Sequence, residues 1–195
     1  MKAFKHICSV SFILFLSCNV DQAQNSEKLT TIAGTYKNNY SGEELTIRNE
    51  NIESDLHVVK LDSTESFSLS ISIDKPQYYY IGNTGIKVYL EPGKDINIQY
   101  DEKTYDPHTA AYKGANSDIQ NYLSQQYKET EDLYNSAFDS LPSQFLDQLL
   151  IYKDKQFKAL ESSEFPEEFI KTQKEILFIE GMISRIYHED SNYYD

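Results

Sequence analysis

The 195-residue chain carries 31 acidic against 18 basic side chains, a formal net charge of −13. Such a surface repels phosphate backbones and anionic headgroups, which disfavours nucleic acid and charge-driven membrane binding. The length suits one domain with a core of adequate size, and Cys8 and Cys18 are the only thiols available to cross-link it.

The chain begins with a basic start, Met1-Lys-Ala-Phe-Lys5, then about ten mainly apolar positions to Leu16, then Ser17-Cys18. That run is too short to cross a bilayer, which takes roughly 20 residues, so it is expected to be an export signal over residues 1–17. Lipoprotein processing needs a cysteine thiol to accept a diacylglyceryl group and a small residue just before it for the cut. Ser17-Cys18 meets both needs, and Cys18 is the expected lipidation site. The usual Leu three residues before the cysteine and small residue two before it are here Phe15 and Leu16. The competing reading, an ordinary signal cut later, finds only Asp21-Gln22-Ala23, a poor small-x-small site. A mature chain starting at Cys18 has 178 residues, and losing Lys2 and Lys5 takes its charge to −15. Its one thiol is then capped by lipid, so no disulfide is expected.

Residues 18–30 are mostly polar and read as a lipidated tether. Residues 31–114 alternate apolar and polar residues in short runs separated by Gly, Asn, Asp and Pro, as strands and turns do. Strands are predicted at 33–36, 43–47, 56–61, 67–73, 78–81, 86–90, 96–100 and 111–113. Phe67, Leu69, Ile71 and Ile73 share one face at period two, with serines on the other, the pattern of a half-buried antiparallel strand. Glu91-Pro92-Gly93-Lys94 predicts a type II turn joining two paired strands, because Pro92 presets φ and Gly93 accepts positive φ.

Over 115–190 the period becomes that of helices, expected to pack on the β-rich part. Asn116 can cap the first, with Ile119, Tyr122, Leu123, Tyr127, Leu133 and Tyr134 on one face. Ser140-Leu-Pro142 can start a second, with Leu146, Leu149, Leu150, Phe157 and Leu160 inward. Phe165-Pro166 starts a third, whose inward face is Phe169, Ile170, Ile176, Leu177, Ile183 and Ile186; Pro166, Glu167 and Glu168 suit a helix N-terminus. Strands first and helices afterwards give an α+β fold: an N-terminal antiparallel β-sandwich-like sheet followed by a three-helix segment.

Sixteen Tyr, ten Phe and no Trp make aromatic content the conspicuous feature. Tyr78-Tyr79-Tyr80 places rings on both faces of one strand, so at least one should reach solvent or a groove. With Tyr89 these could stack on a glycan or line a peptide groove, against the blander reading that they fill a core and its wet rim. His57, His108 and His188 form no local metal-ligand pair, and Asp101-Glu-Lys-Thr-Tyr-Asp106 has the acidity of a calcium loop without its pattern. No nucleophile elbow or phosphate-cradling glycine loop is present. No catalytic residue, metal or cofactor is therefore expected.

Ser66-Phe67-Ser-Leu-Ser-Ile-Ser-Ile73, Lys75-Pro76-Gln77-Tyr78-Tyr79, Val88-Tyr89-Leu90-Glu91-Pro92-Gly93-Lys94-Asp95, Tyr112-Lys113-Gly114-Ala115-Asn116 and Asn121-Tyr122-Leu123 resemble the amino-terminal region of TlpA-like thiol-disulfide oxidoreductase lipoproteins of the Bacteroidota. The resemblance extends loosely through the helices to about Tyr187. In that family this region precedes a thioredoxin domain whose Cys-x-x-Cys performs exchange, and the present chain ends about where that domain would begin. Exchange requires thiolate attack on sulfur, so no catalytic cysteine carries over. What the resemblance implies is a non-enzymatic accessory module, either stand-alone or one part of an interrupted gene. Its expected place is the cell envelope, lipid-anchored in the outer membrane, with the periplasmic face favoured over surface display. Its expected partners are the membrane, through the anchor, and an envelope protein such as a separate thioredoxin-like oxidoreductase. A glycan- or peptide-binding lipoprotein is the alternative.

Overall fold

A computed structural model describes residues 29–137 and 142–191. The expected export signal, Cys18 and the tether as far as residue 28 lie outside the described residues. Eight strands come first: β1 (Leu29–Lys37), β2 (Glu44–Asn49), β3 (Leu56–Lys60), β4 (Ser66–Ser72), β5 (Gln77–Ile81), β6 (Ile86–Leu90), β7 (Ile96–Asp101) and β8 (Ala111–Gly114). Three helices follow: α1 (Ser117–Ala137), α2 (Pro142–Glu161) and α3 (Glu167–Ser191). The fold is α+β, as the sequence predicts.

The strands form two four-stranded sheets, ordered β4-β1-β7-β8 and β3-β2-β5-β6. Between them lies one apolar cluster, fed from the first sheet by Ile32, Tyr36 and Ile98 and from the second by Ile47, Ile81 and Val88. Each such aliphatic side chain contributes about 1.5–3 kcal/mol by leaving water. The period-two pattern of β4 holds: Phe67, Ile71 and Ile73 are buried while Ser68, Ser70 and Ser72 face solvent.

Three details depart from the sequence expectation. First, the sheets are not wholly antiparallel, because β1 and β7 pair in parallel with Ile32 opposite Ile96. They approach so closely that a Cβ on Gly34 would lie 1.8 Å from the Ile98 carbonyl oxygen. Second, the turn at Glu91–Lys94 forms, with Gly93 at φ +71 and the Lys94 N–H donating to the Glu91 carbonyl over 3.1 Å. It does not close a hairpin: β6 and β7 belong to different sheets, so the turn carries the chain across the sandwich. Third, β1 starts at Leu29, inside the expected tether. Thr30 is fully buried, its hydroxyl donating to the Glu91 carbonyl (2.8 Å) and accepting from the Gly93 N–H (2.9 Å), which pins the crossing turn.

The helices add a further layer over β5 and β6. Tyr78 and Tyr89 on the outer face of those strands join Ile119, Leu123, Leu160, Phe169 and Leu177 in a second cluster. β6 is the edge of its sheet, and an edge leaves backbone groups unpaired. Gln120 of α1, itself fully buried, satisfies them: its Oε1 accepts from the Tyr89 N–H (3.0 Å) and its Nε2 donates to the Tyr89 carbonyl (2.6 Å). A side-chain amide thus stands in for a ninth strand and fixes α1 on the sandwich. α2 packs on α1 and α3, farther from the sheets.

The inward helical faces are narrower than expected. Leu150, Ile183 and Tyr127 are exposed rather than inward, because each helix meets its neighbours along one stripe, whereas Tyr134, partly exposed, turns its ring to Phe145 and its hydroxyl to Ser184. Much of that stripe is glutamine: Gln120, Gln126, Gln156 and Gln173 are all buried. Ile186 lies beyond the described side chains. Asn116 occupies the position before α1, its carbonyl accepting from the Gln120 N–H, but with φ +63 its side-chain oxygen lies toward Lys94 Nζ at 3.5 Å.

Candidate functional site

The structure buries three of the four tyrosines singled out by the sequence and brings two of them, Tyr78 and Tyr89, together. Tyr78 and Tyr89 are directly opposed across β5 and β6. Because the Tyr89 backbone groups point outward to Gln120, this is a non-hydrogen-bonded pair, the closer of the two antiparallel spacings. Their ring centroids stand 5.2 Å apart, and Phe169 of α3 meets Tyr89 edge-on at 4.9 Å. Tyr79 points the other way, into the sandwich. Tyr78, Tyr79 and Tyr89 are 8%, 1% and 4% exposed, so none presents an open ring face for stacking on a sugar. Tyr80 is half-buried beneath the Arg48 guanidinium, 4.9 Å from its ring centroid, and donates to Glu50. The expectation that at least one ring reaches solvent or a groove is met by Tyr80 at the surface, and by Tyr78 and Tyr89 only through their edges in a cleft wall. β5 and β6 form the part of their sheet covered on both sides, a circumstance that alternation along one strand does not disclose.

Burial pushes the Tyr78 hydroxyl up to about 12, against the opposing hydrogen bond from Gln173 (2.6 Å). Burial, helped by the hydrogen bond to Asp55, does the same for Tyr79. Burial likewise raises Tyr89, whose hydroxyl has no partner among the described residues. Held protonated in this way, Tyr78 accepts from Gln173, Tyr79 donates to Asp55, and all three rings act as packing groups.

Two concavities flank the tyrosine pair. A pocket of about 190 Å³ lies between the β5–β6 hairpin, the single turn Pro107–Thr109, α1 and α3. Lys87, His108, Gln126, Gln173 and Glu180 reach it. Lys87 Nζ is 2.6 Å from Glu50 Oε1 and 4.6 Å from the Tyr78 ring centroid, so its charge is already matched. Burial raises the Glu180 carboxyl, with Lys87 opposing. On the other side, a cleft of about 330 Å³ has Tyr78, Tyr89 and Phe169 in its wall and Asn51, Lys75 and Glu168 at its rim.

The histidines remain apart. His57 Nε2 lies 2.7 Å from Asp55 Oδ1, while Asp55 Oδ2 also accepts from Tyr79 (2.6 Å) and Asn49 (3.1 Å). Burial works to raise the Asp55 carboxyl, but the hydrogen bonds from Tyr79, His57 and Asn49 outweigh it and hold the group below the usual range. His108 Nε2 lies 3.4 Å from Glu131. His188 belongs to the last part of α3, whose side chains are not described. The acidic stretch Asp101–Asp106 is spent on local turns: Asp101 accepts from the Lys103 N–H and Asn38, and Asp106 from the His108 N–H. Among the described residues no group of three or more His, Cys, Asp or Glu is placed to hold a metal ion, and no helix is long and apolar enough to cross a membrane.

The surface feature that sequence reasoning missed lies on the helices. Phe178, Ile179, Met182 and Ile183 of α3 are 56%, 55%, 50% and 48% exposed, and Leu150 of α2 is 64% exposed. The four α3 residues are spaced i, i+1, i+4, i+5 and form one stripe turned away from Leu177 and Phe169, which face the core. Lys153 Nζ lies over the Phe178 ring at 5.3 Å, which places Leu150, one turn away on α2, next along the same surface. Beside the stripe runs an open groove of about 610 Å³ lined by Phe157, Ile170, Lys171, Lys174, Phe178 and Ile179. The signal was present in the sequence: two adjacent apolar pairs four residues apart cannot share the arc already filled by Phe169 and Leu177.

The fold and surfaces define a two-sheet sandwich with a helical layer whose apolar outer face the described residues leave uncovered. Comparison of the chain with protein-family models, with curated proteins and with solved structures found no match.

Proposed function

We propose that the chain is a lipid-tethered protein of the cell envelope whose folded domain works by binding and not by catalysis. The observation that carries the binding half is the exposed apolar surface of α2 and α3. Five large side chains about half exposed amount to on the order of 500 Å² of apolar area, at the upper end of what a monomer shows without a partner. The tethering half rests on the sequence, on the basic start, the short apolar run and Ser17-Cys18. The resemblance to the amino-terminal region of TlpA-like lipoproteins supports both, and makes a separate thioredoxin-like oxidoreductase in the same envelope a candidate beneficiary of the module. Outer-membrane anchoring with the domain on the periplasmic side is the location in keeping with that reading.

Two measurements test it. Cells fed labelled fatty acid should label the wild-type chain and leave Cys18→Ser unlabelled; label retained on Cys18→Ser removes the tether. Turnover of disulfides, glycans or peptides by the purified chain would overturn the non-catalytic half. A second reading, ligand binding, is favoured by one feature, the cleft bordered by Tyr78, Tyr89, Lys75 and Glu168. Calorimetry against a glycan and peptide panel decides it: heat lost on Lys75→Ala supports the cleft, and no heat with the wild-type chain eliminates it.

A further inference from the structure

We infer that the apolar stripe on α3, with Leu150 of α2, is the contact between two copies of this chain, paired about a two-fold axis with their α3 helices antiparallel. The inference deepens the binding reading by naming the partner, and rests on that reading.

Three observations select a second copy. The first is area. A stable interface takes about 800 Å² per partner, somewhat over half of it apolar. The stripe supplies roughly 500 Å² of apolar surface, which is the core of such an interface and leaves the remainder to a polar rim. The second is charge. The groove along the stripe carries Lys171 and Lys174 beside Glu167 and Glu175, both signs within two turns of one helix. Rim charges of both signs suit a protein partner, whereas an anionic bilayer would call for a rim of one sign on a chain whose overall charge is already −13. The third is shape. A two-fold contact must be self-complementary, residue for residue. With the axis passing between positions 180 and 181, Phe178 meets Ile183 of the other copy and Ile179 meets Met182, so that each bulky side chain faces another of similar size. The open groove on the amino-terminal side of the stripe then lies beneath the carboxy-terminal half of the opposing α3. Lipidation would favour the pairing further, since confinement to one membrane raises the effective concentration of each copy for the other.

The experiment uses the full chain in its membrane and then extracted in non-ionic detergent. Met182→Cys places one thiol at the contact, and Val58→Cys places one at a comparably exposed position on β3 (56% against 50% exposed). A short bismaleimide should cross-link Met182→Cys into dimers and leave Val58→Cys largely monomeric. Sedimentation of the extracted wild-type chain should give twice the protein mass. Phe178→Asp should weaken the association by roughly 100-fold or more, since symmetry places the loss in the interface twice. Because Phe178 is more than half exposed, the far-ultraviolet circular dichroism of that variant should stay unchanged. Equal cross-linking at both positions, or a monomer in sedimentation at tens of micromolar, overturns the inference. So does a Phe178→Asp chain that loses affinity for lipid vesicles without any change in mass, because a bilayer would then be what covers the stripe. The wild-type chain reports on the tether separately: with Cys8 removed and Cys18 capped it must not cross-link, and if it does, the lipidation reading fails whatever the stripe does.

Discussion

Replacing Gln120 by Met keeps the length and most of the volume of the side chain and removes both hydrogen bonds to Tyr89. The Tyr89 N–H and carbonyl then remain buried under α1 with no partner. Leaving a buried polar group unsatisfied costs about 1–3 kcal/mol, so two of them cost about 2–6 kcal/mol. That is a large fraction of the 5–15 kcal/mol by which a domain of this size is ordinarily stable. Urea unfolding followed by circular dichroism should show a lowered midpoint with little change in slope, as a loss of stability without a change in exposed surface requires. Hydrogen exchange at the Tyr89 amide gives the local readout, slow in the wild-type chain and fast in Gln120→Met. Gln120→Glu separates the two bonds: it keeps an acceptor for the N–H but sets a carboxylate against the Tyr89 carbonyl, and should be at least as damaging. A loss below about 1 kcal/mol in Gln120→Met, with Tyr89 exchange unchanged, would refute the idea that a side-chain amide closes the edge of β6.

Gly34→Ala should prevent the β1–β7 pairing or cost more than about 4 kcal/mol, an exceptional value for one methyl group, since the added Cβ would fall 1.8 Å from the Ile98 carbonyl oxygen; expression and thermal unfolding report it. Tyr36, Tyr78, Tyr79, Tyr112 and Tyr152 are each raised from 10.0 to about 12, with burial the largest cause. Their contribution to stability is complete below pH 10 and is lost as the pH rises toward 12, because the unfolded chain ionises first. The part of the tyrosinate absorbance that these five buried phenols supply, unobscured by tryptophan, should therefore appear together with unfolding and not ahead of it. Asp55 has the opposite sign: with its folded pKa below 3.8, it stabilises the fold above that value and ceases to do so as the pH falls through the folded value. Asp55→Asn should be less stable than wild type at neutral pH, and the difference should shrink as the solution is acidified below 3.8.

The eight strands and three helices are legible in the sequence because period two and period 3.6 are local properties, punctuated here by Gly82, Gly85, Pro92 and Pro142. Partnership between strands is not local. Nothing in Glu91-Pro92-Gly93-Lys94 distinguishes a turn that closes a hairpin from one that changes sheets; the difference lies in Thr30, sixty-one residues earlier, whose hydroxyl holds the turn. Tyr78, Tyr79 and Tyr89 stand out in the sequence as a cluster of rings, but their burial depends on which strands the helices cover and which face the other sheet. The inward helical stripe departs from apolar periodicity at Leu150 and Ile183, which are exposed, while Gln120 and Gln173, of a residue type ordinarily assigned to solvent, face inward.

β1 receives the chain from its amino-terminal side directly into the middle of a sheet, antiparallel to β4 on one flank and parallel to β7 on the other. A pull on Leu29 along the strand would load both ladders in shear, straining many hydrogen bonds at once where a peeling geometry would break them singly. The buried Thr30 side chain adds a lateral stop at the point of entry. If the preceding residues are the leash of a lipid anchor, the domain is tied by the strand best placed to resist being drawn out of its own fold.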